Sequence, residues 1–304
     1  MSELKSTEMQ QTLKGIGWMI LTGLLFACVT GIVRYLGSDM PAIEAAFIRY
    51  LIGLILILPF LYSALSSGAY KDNLKLYAVR GLVHGIAVIL WFYAMVRIPM
   101  AEVTAIGYTA PIFVTIGAAL FLGEKLHVHR LMAVAVGLLG VFIIIRPGFQ
   151  EVGLGQLAQL SAAPLFAASF ILAKQFTGRS SPTEIVAMLS LFCTIVLLPG
   201  ALLQWRTPTL EELIWLAVTA LLATIGHYAL TKAFASAPIT VTQPVSYLQL
   251  VWAVLIGIVL FAEPLDPYVL LGGAVIVSAI TYISHRELQI ARKQVTPPPV
   301  GTKV

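Results

Sequence analysis

Ten stretches of this chain are long enough and apolar enough to cross a lipid bilayer, and that feature governs every other reading of the sequence. They cover residues 13–36, 42–65, 74–96, 101–122, 128–146, 154–174, 183–204, 211–234, 240–261 and 267–284. A bilayer's hydrocarbon core is about 30 Å thick, so about 20 apolar residues in a helix span it. Hydrocarbon offers no partner to a bare backbone amide, so such runs must be helical. Breakers separate them: SDMP at 38–41, SSG at 66–68, IPM at 98–100, RPG at 146–148, SSP at 180–182, SAP at 236–238 and EPLDP at 263–267. Charged residues make up 11% of the chain, against about 25% in soluble domains. The deficit is spread along the whole length, so no segment reads as a separate soluble domain.

The basic residues set the expected orientation. Lys5, Lys14, Lys71, Lys75, Arg80, Lys125, Arg130, Arg179, Lys232, Arg286, Arg292, Lys293 and Lys303 belong to one set of connections and ends, whereas Arg97, Arg146 and Arg206 belong to the other. The positive-inside rule then predicts that both termini are cytoplasmic. It also accounts for the net charge of +5 without a nucleic-acid partner. Residues 1–12 read as a polar cytoplasmic segment and 286–304 as a disordered cytoplasmic tail. The first run is too long for a signal-peptide core and reads as a retained helix. Cys28 and Cys193 lie inside apolar runs, away from other metal-ligating residues, and read as packing residues.

The sequence also repeats itself. At a shift of 139 residues, AMVRIPM (94–100) falls on AFASAPI (233–239), Pro99 on Pro238, Tyr108 on Tyr247 and Glu124 on Glu263. At 140, LLFA (24–27) meets PLFA (164–167), Arg34 meets Lys174, and LILPF (56–60) meets VLLPG (196–200). The halves, 13–148 and 149–285, each hold five runs. An odd number forces consecutive copies into opposite orientations. The expected fold is therefore an all-α bundle of ten transmembrane helices in two inverted five-helix repeats, an architecture of secondary transporters with a binding site near midplane.

At FIRYLIGLILILPFL (47–61), WFYAMVRIPMAEVTAIGYTAPIFVTIGAALFLGEKL (91–126), GLLGVFIIIRPG (137–148) and SYLQLVWAVLIGIVLFAEPL (246–265), the chain resembles the EamA family of the drug/metabolite transporter superfamily. The resemblance covers essentially the whole apolar sequence. It implies a carrier of small organic solutes in a plasma membrane, such as a bacterial inner membrane. Members of the family export amino acids and metabolites or import vitamins and cofactors. The patterns in runs three, four and nine are most like the branch of riboflavin and S-adenosylmethionine uptake proteins.

Polar groups inside a span are costly, so each is a candidate for function. Arg49, in the second run, has Leu189 as its repeat mate and is thus no symmetric scaffold residue. It reads either as a cationic anchor for a substrate carboxylate or phosphate, or as a partner of Glu44 or of helix-end carbonyls. Trp91, Tyr93, Tyr108, Gln243, Tyr247, Gln249 and Trp252 offer aromatic faces and neutral hydrogen bonds suited to a flat or zwitterionic solute. Of these, Trp91, Tyr108, Gln243, Tyr247 and Gln249 join Arg49 as the expected substrate-binding set. Tyr108 and Tyr247 lie too deep for an interfacial belt.

Arg34 and Lys174 occupy matching helix ends, and either snorkel to the interfaces or form gates at the two mouths. His84 and His227 either relay a proton or simply bond to neighbours. Pro111, Pro164 and Pro244 predict kinks. Glu124 and Glu263 are expected to favour the N-terminal dipole of the helix that follows each. Gly23, Ala27 and Gly31, with Gly137, Gly140, Gly272 and Gly273, form small faces for close helix packing. Runs five and ten, poor in polar groups, are left to brace the bundle or to form the face of a homodimer.

No nucleotide loop, HExxH or zinc spacing occurs. The chain therefore reads as no enzyme, with no cofactor and no metal, its partners being a small-molecule substrate and the lipid. The competing readings are an exporter of drug-like solutes and a membrane enzyme acting on a lipid-linked substrate. The latter needs paired acids that are scattered here.

Overall fold

The computed structural model describes residues 2–37, 39–68, 71, 73–110, 112–113, 128–146, 151–177, 179–237, 242 and 245–295. Among them regular structure is helical throughout, apart from one isolated bridge between Thr177 and Ser180. In chain order the helices are α1 (Ser2–Leu36), α2 (Ala42–Leu56), α3 (Leu58–Ser67), α4 (Leu74–Met95), α5 (Met100–Gly107), α6 (Val128–Ile145), α7 (Leu154–Phe176), α8 (Pro182–Leu203), α9 (Leu210–Ser236), α10 (Leu248–Phe261) and α11 (Pro267–Val295). Five are long and apolar enough to cross a membrane on their own: α1 from Gln10 onward, α4, α7, α8 and α9. This is a multi-pass membrane protein.

The second expected run is broken. α2 and α3 meet at Ile57 with a bend of 69°. Pro59, second residue of α3, lacks the N–H needed to continue the ladder, and its ring crowds the carbonyl four residues back. Ile57 N still reaches the Gly53 carbonyl at 3.1 Å, so the break leaves that amide bonded. Its repeat mate Pro199 lies inside the unbroken α8, close to that helix's end. Pro164 is likewise carried inside α7. Pro111 and Pro244 lie outside the described residues, as do Glu124 and most of the fourth run beyond Phe113. α11 runs on to Val295, through residues 286–295 that composition assigned to the tail.

Packing is mostly between the two sequence halves. α1 lies against α9 and α10, α2 against α8 and α9, α4 against α7 and α8, and α6 against α11. Contacts sort the connections into two ends. At one end the C-terminus of α1 meets those of α4 and α10 through Arg34, and Tyr35 donates to Glu211 at the start of α9 (2.9 Å). There too Glu44 accepts from the Arg206 backbone N–H (3.1 Å), and Arg146 pairs with Asp266. The hydrogen-bonded Glu212 carboxylate raises the Arg206 guanidinium above its ordinary value. At the other end Tyr77 donates to Glu184 (3.1 Å), and Gly15 sits against Ala237.

Without water to drive association, spanning helices rely on close packing at small residues. Gly81 faces Phe192, Gly226 faces Phe26 and Gly31 faces Ile256. At the α6–α11 seam backbone meets backbone. A Cβ added at Gly140 would come within 2.7 Å of the Gly272 carbonyl oxygen, and one at Gly272 within 2.5 Å of the Gly140 oxygen. Neither backbone can retreat cheaply. Gly272→Val is expected to destabilise the protein by ~1–3 kcal/mol, read as a lower apparent melting temperature in detergent. The same change at Gly17, which faces open space, is expected to leave it nearly unchanged.

Candidate functional site

The bundle's most polar interior lies where α2, α4, α7, α8 and α9 converge. Arg49 of α2 is 3% exposed, Arg80 and His84 of α4 are 1% and 2%, and His227 of α9 is 7%. The Arg49 guanidinium lies 3.9 Å over the Tyr50 ring and 5.7 Å from that of Phe92. His84 Nδ1 shares a hydrogen bond with Ser169 Oγ (2.8 Å). The His84 and His227 rings meet edge to face at 5.2 Å. Phe26 packs on His227, and Phe166 on both His84 and Trp91. Cation and aromatic face attract through the ring quadrupole, which stabilises Arg49 where no carboxylate among the described residues pairs with it.

Arg80 is a correction to the sequence reading. It counted there as a basic residue of a connection, yet it lies well inside α4 and donates to the Ile185 carbonyl of α8 at 3.0 Å. Its spacing could have revealed this, since it shares one face of α4 with Tyr77 and His84, three and four residues away. The pairing of Arg49 with Glu44 is also not what forms. Glu44 turns to the Arg206 amide, and among the described residues no carboxylate pairs with Arg49 or Arg80.

Tyr108 and Tyr247, repeat mates by sequence, touch each other edge to face at 4.9 Å. Residues that contact their own repeat mates must lie close to whatever axis relates the two copies, so this pair marks the centre of the repeat arrangement. Tyr108 Oη donates to the Tyr247 carbonyl (2.9 Å) and accepts from Leu250 N (2.8 Å). It thus adds a second acceptor to the Leu250 amide at the start of α10, which also bonds the Tyr247 carbonyl at 3.0 Å. The Tyr247 hydroxyl is buried with no partner among the described residues. Gln249 is half-buried beside Gly23 of α1. Gln243 lies outside the described residues.

Arg34 and Lys174 do not simply reach outward. Arg34 donates to the Met95 and Ile98 carbonyls, both at 3.2 Å, at the end of α4. Lys174 donates to the Phe234 carbonyl at the end of α9 (2.5 Å). Met95 and Phe234 are themselves mates at the 139-residue shift, so the same cation-to-carbonyl clasp occurs in both halves. A cation there complements the negative end of the helix dipole. Arg34 additionally pairs with Glu263 (3.2 Å), whose other oxygen accepts from Met100 N at 2.9 Å. Glu263 therefore serves the N-terminus of α5, not that of the helix that follows it. The left-handed backbone of Ala262 (φ 50°) turns it back to do so. Near this end a cavity of about 300 Å³ is lined by Val33, Asp39, Phe92, Tyr93, Arg97 and Gln204 among others. Phe92 thus separates it from Arg49.

Among the described residues no group of three or more His, Cys, Asp or Glu side chains could hold a metal ion. Residues 13–146 and 153–285 each match the EamA-like transporter family. The chain belongs to that family.

Its relatives carry transporter names, which sets it among transporters and not enzymes. It is 28% identical to a riboflavin transporter of Vibrio cholerae, over 93% of this chain and 96% of that protein. It is 30% identical to a riboflavin transporter of Rhizobium johnstonii (95% and 96%) and 28% identical to an S-adenosylmethionine uptake transporter of Rickettsia bellii (92% and 97%). A solved crystal structure aligns with a TM-score of 0.58 over 94% of this chain and 99% of its own, at 19% identity, which supports the fold alone.

The two central tyrosines of this EamA protein should respond differently to loss of their hydroxyls. Tyr108→Phe removes the hydroxyl's bonds to the Tyr247 carbonyl and the Leu250 amide, leaving that amide its 3.0 Å bond to the Tyr247 carbonyl, and is expected to cost ~1 kcal/mol. Tyr247→Phe removes an unsatisfied buried hydroxyl and is expected to leave stability unchanged or slightly higher. Melting curves of the two purified variants decide this.

Proposed function

We propose that this protein is a secondary transporter that moves a small organic metabolite across a plasma membrane by alternating access. Its ten crossings would form two inverted repeats with both termini in the cytoplasm. The observation that carries this reading is the buried cluster of Arg49, Arg80, His84 and His227 between elements of both halves, walled by aromatic rings and lacking an acid among the described residues. A buried cation with no counter-charge is unfavourable, so a substrate that supplies negative charge and a flat surface meets what this interior lacks. Arg49 anchors the charge. Trp91, Tyr108, Tyr247, Gln243 and Gln249 bound the aromatic and neutral part, with the paired rings of His84 and His227 beside the charge.

Names of the relatives support metabolite import and make riboflavin and S-adenosylmethionine the first solutes to try. Purified protein in liposomes is expected to take up one of these, or a solute from a panel of vitamins, nucleosides, amino acids and organic acids, above protein-free liposomes. Arg49→Lys, which keeps the charge but loses the planar fork, is expected to lower the initial rate about tenfold, the equivalent of ~1.4 kcal/mol. Wild-type liposomes that move nothing in the panel would sink the reading.

Arg34 and Lys174 then act as latches at opposite mouths. Glu263 comes from the second half, whereas Arg34 and Met100 belong to the first, so this contact ties the halves together at one end. Glu263→Gln keeps the shape and removes the charge. It is expected to speed thiol labelling of Val33→Cys, which lines the cavity at that end, in a chain with Cys28 and Cys193 replaced. An unchanged labelling rate would remove Glu263 from the gate.

A further inference from the structure

Four buried polar atoms around the central cluster make no well-formed hydrogen bond among the described residues: Arg49 Nε, Arg80 Nε, His227 Nδ1 and the Tyr50 hydroxyl, which lies beside the Arg49 guanidinium and the Cys193 thiol. Their residues are all at least nine-tenths buried. In folded proteins buried polar groups are nearly always satisfied, so a coincidence of four in one region points to a missing partner. Three of the four are linked by ring contacts, and Arg80 lies one helical turn from His84 on α4. Arg49 lies on the Tyr50 ring, Tyr50 meets His84 edge to face at 6.2 Å, and His84 meets His227 at 5.2 Å. Both guanidinium groups are within electrostatic reach of both imidazoles. The remaining polar contacts are already formed, with His84 on Ser169 and Arg80 on the Ile185 carbonyl.

Arginine and tyrosine offer donors, and histidine offers a donor or an acceptor. A ligand that satisfies all of them must be rich in acceptors and compact enough to touch four side chains from α2, α4 and α9. A neutral carbonyl has too few lone pairs and no charge to offset two guanidinium groups, and a cation would be repelled. An oxyanion fits on both counts, and arginine forks match carboxylate and phosphate geometry. Phe166 borders His84 and Trp91, and Phe166 and Phe170 stack at 6.0 Å, so a flat apolar body attached to the oxyanion would lie against rings.

We propose that Arg49, Arg80, Tyr50 and His227 form a single oxyanion site, which takes the carboxylate or phosphate of an organic anion whose planar part packs on the Phe166 side of the cluster. This deepens the transport reading by assigning its substrate class, and it rests on that reading only for the statement that the bound anion is carried. Arg80 becomes a second binding residue equal in weight to Arg49. His84, held by Ser169, positions His227.

The test uses the detergent-purified full chain and three probes of similar ring size: phenyl phosphate, benzoate and benzyl alcohol. A ligand that binds only the folded state raises the apparent melting temperature by mass action. Phenyl phosphate, benzoate or both are expected to raise it with increasing concentration, and benzyl alcohol is expected not to. The stronger of the two anions identifies the head group. Arg80→Lys, Arg49→Lys and His227→Gln keep size and most of the packing, and each is expected to need about ten times more anion for the same shift. Retention of a cooperative melt without ligand shows that a variant is folded. A wild type that responds no better to the anions than to benzyl alcohol overturns the site, as do folded variants that respond like wild type. Liposome flux separates this from the transport reading. If riboflavin or S-adenosylmethionine is carried at the same rate by wild type and Arg80→Lys, with no competition from phenyl phosphate or benzoate, transport stands and the oxyanion site falls. If oxyanions bind and the variants lose them while no solute is carried, the site stands and transport falls.

Discussion

In hydrocarbon a backbone amide or carbonyl without a partner costs several kcal/mol, so a bundle like this one can interrupt its helices only where something else completes the hydrogen bond. The interruptions here follow that rule. At the α2–α3 break, the Gly53 carbonyl keeps the Ile57 amide. Where α5 begins, the first amide goes to Glu263. Where α10 begins, Leu250 N goes to the Tyr108 hydroxyl. The carbonyl ends of α4 and α9 take Arg34 and Lys174. Four of these five partners come from a different helix in the same half or from the opposite half, so the broken helices and the bundle's assembly depend on each other.

That requirement sorts the intramembrane polar residues into two kinds. Arg34, Lys174, Tyr108 and Glu263 complete helix ends. Arg49, Arg80, Tyr50 and His227 keep unused donors or acceptors in the interior, although burial should have selected against them. A polar side chain that finishes the backbone explains its own retention; one that finishes nothing needs a partner from outside the chain. The small-residue seams, α6 against α11 above all, bring the helices close enough for this sorting to be sharp.

Much of this was legible in the sequence because the membrane imposes a simple code. Apolar length marked the five helices long enough to span, the 139- and 140-residue shifts matched the two halves that the family model covers, and the shared motifs pointed to the transporter family. The matched Arg34 and Lys174 predicted a common role, and both do clasp equivalent carbonyls. Reading failed where a residue's depth or partner decided. Arg80 follows closely on Lys71 and Lys75 in sequence and passed for a surface charge. Glu263 precedes α11 but turns back to α5, because Ala262 adopts a left-handed backbone that no sequence pattern announced.

The sequence by itself therefore determined the class of the protein, since hydrocarbon allows a long apolar run only one backbone conformation and a repeat of such runs only a few arrangements. Tertiary structure alone decided the site. His84 and His227 are 143 residues apart, are not repeat mates, and meet only because α4 and α9 both converge on α2. Which donors are satisfied is likewise a property of three-dimensional neighbours, and that is what separates the arginine that seals a helix end from the two whose Nε atoms have no partner among the described residues.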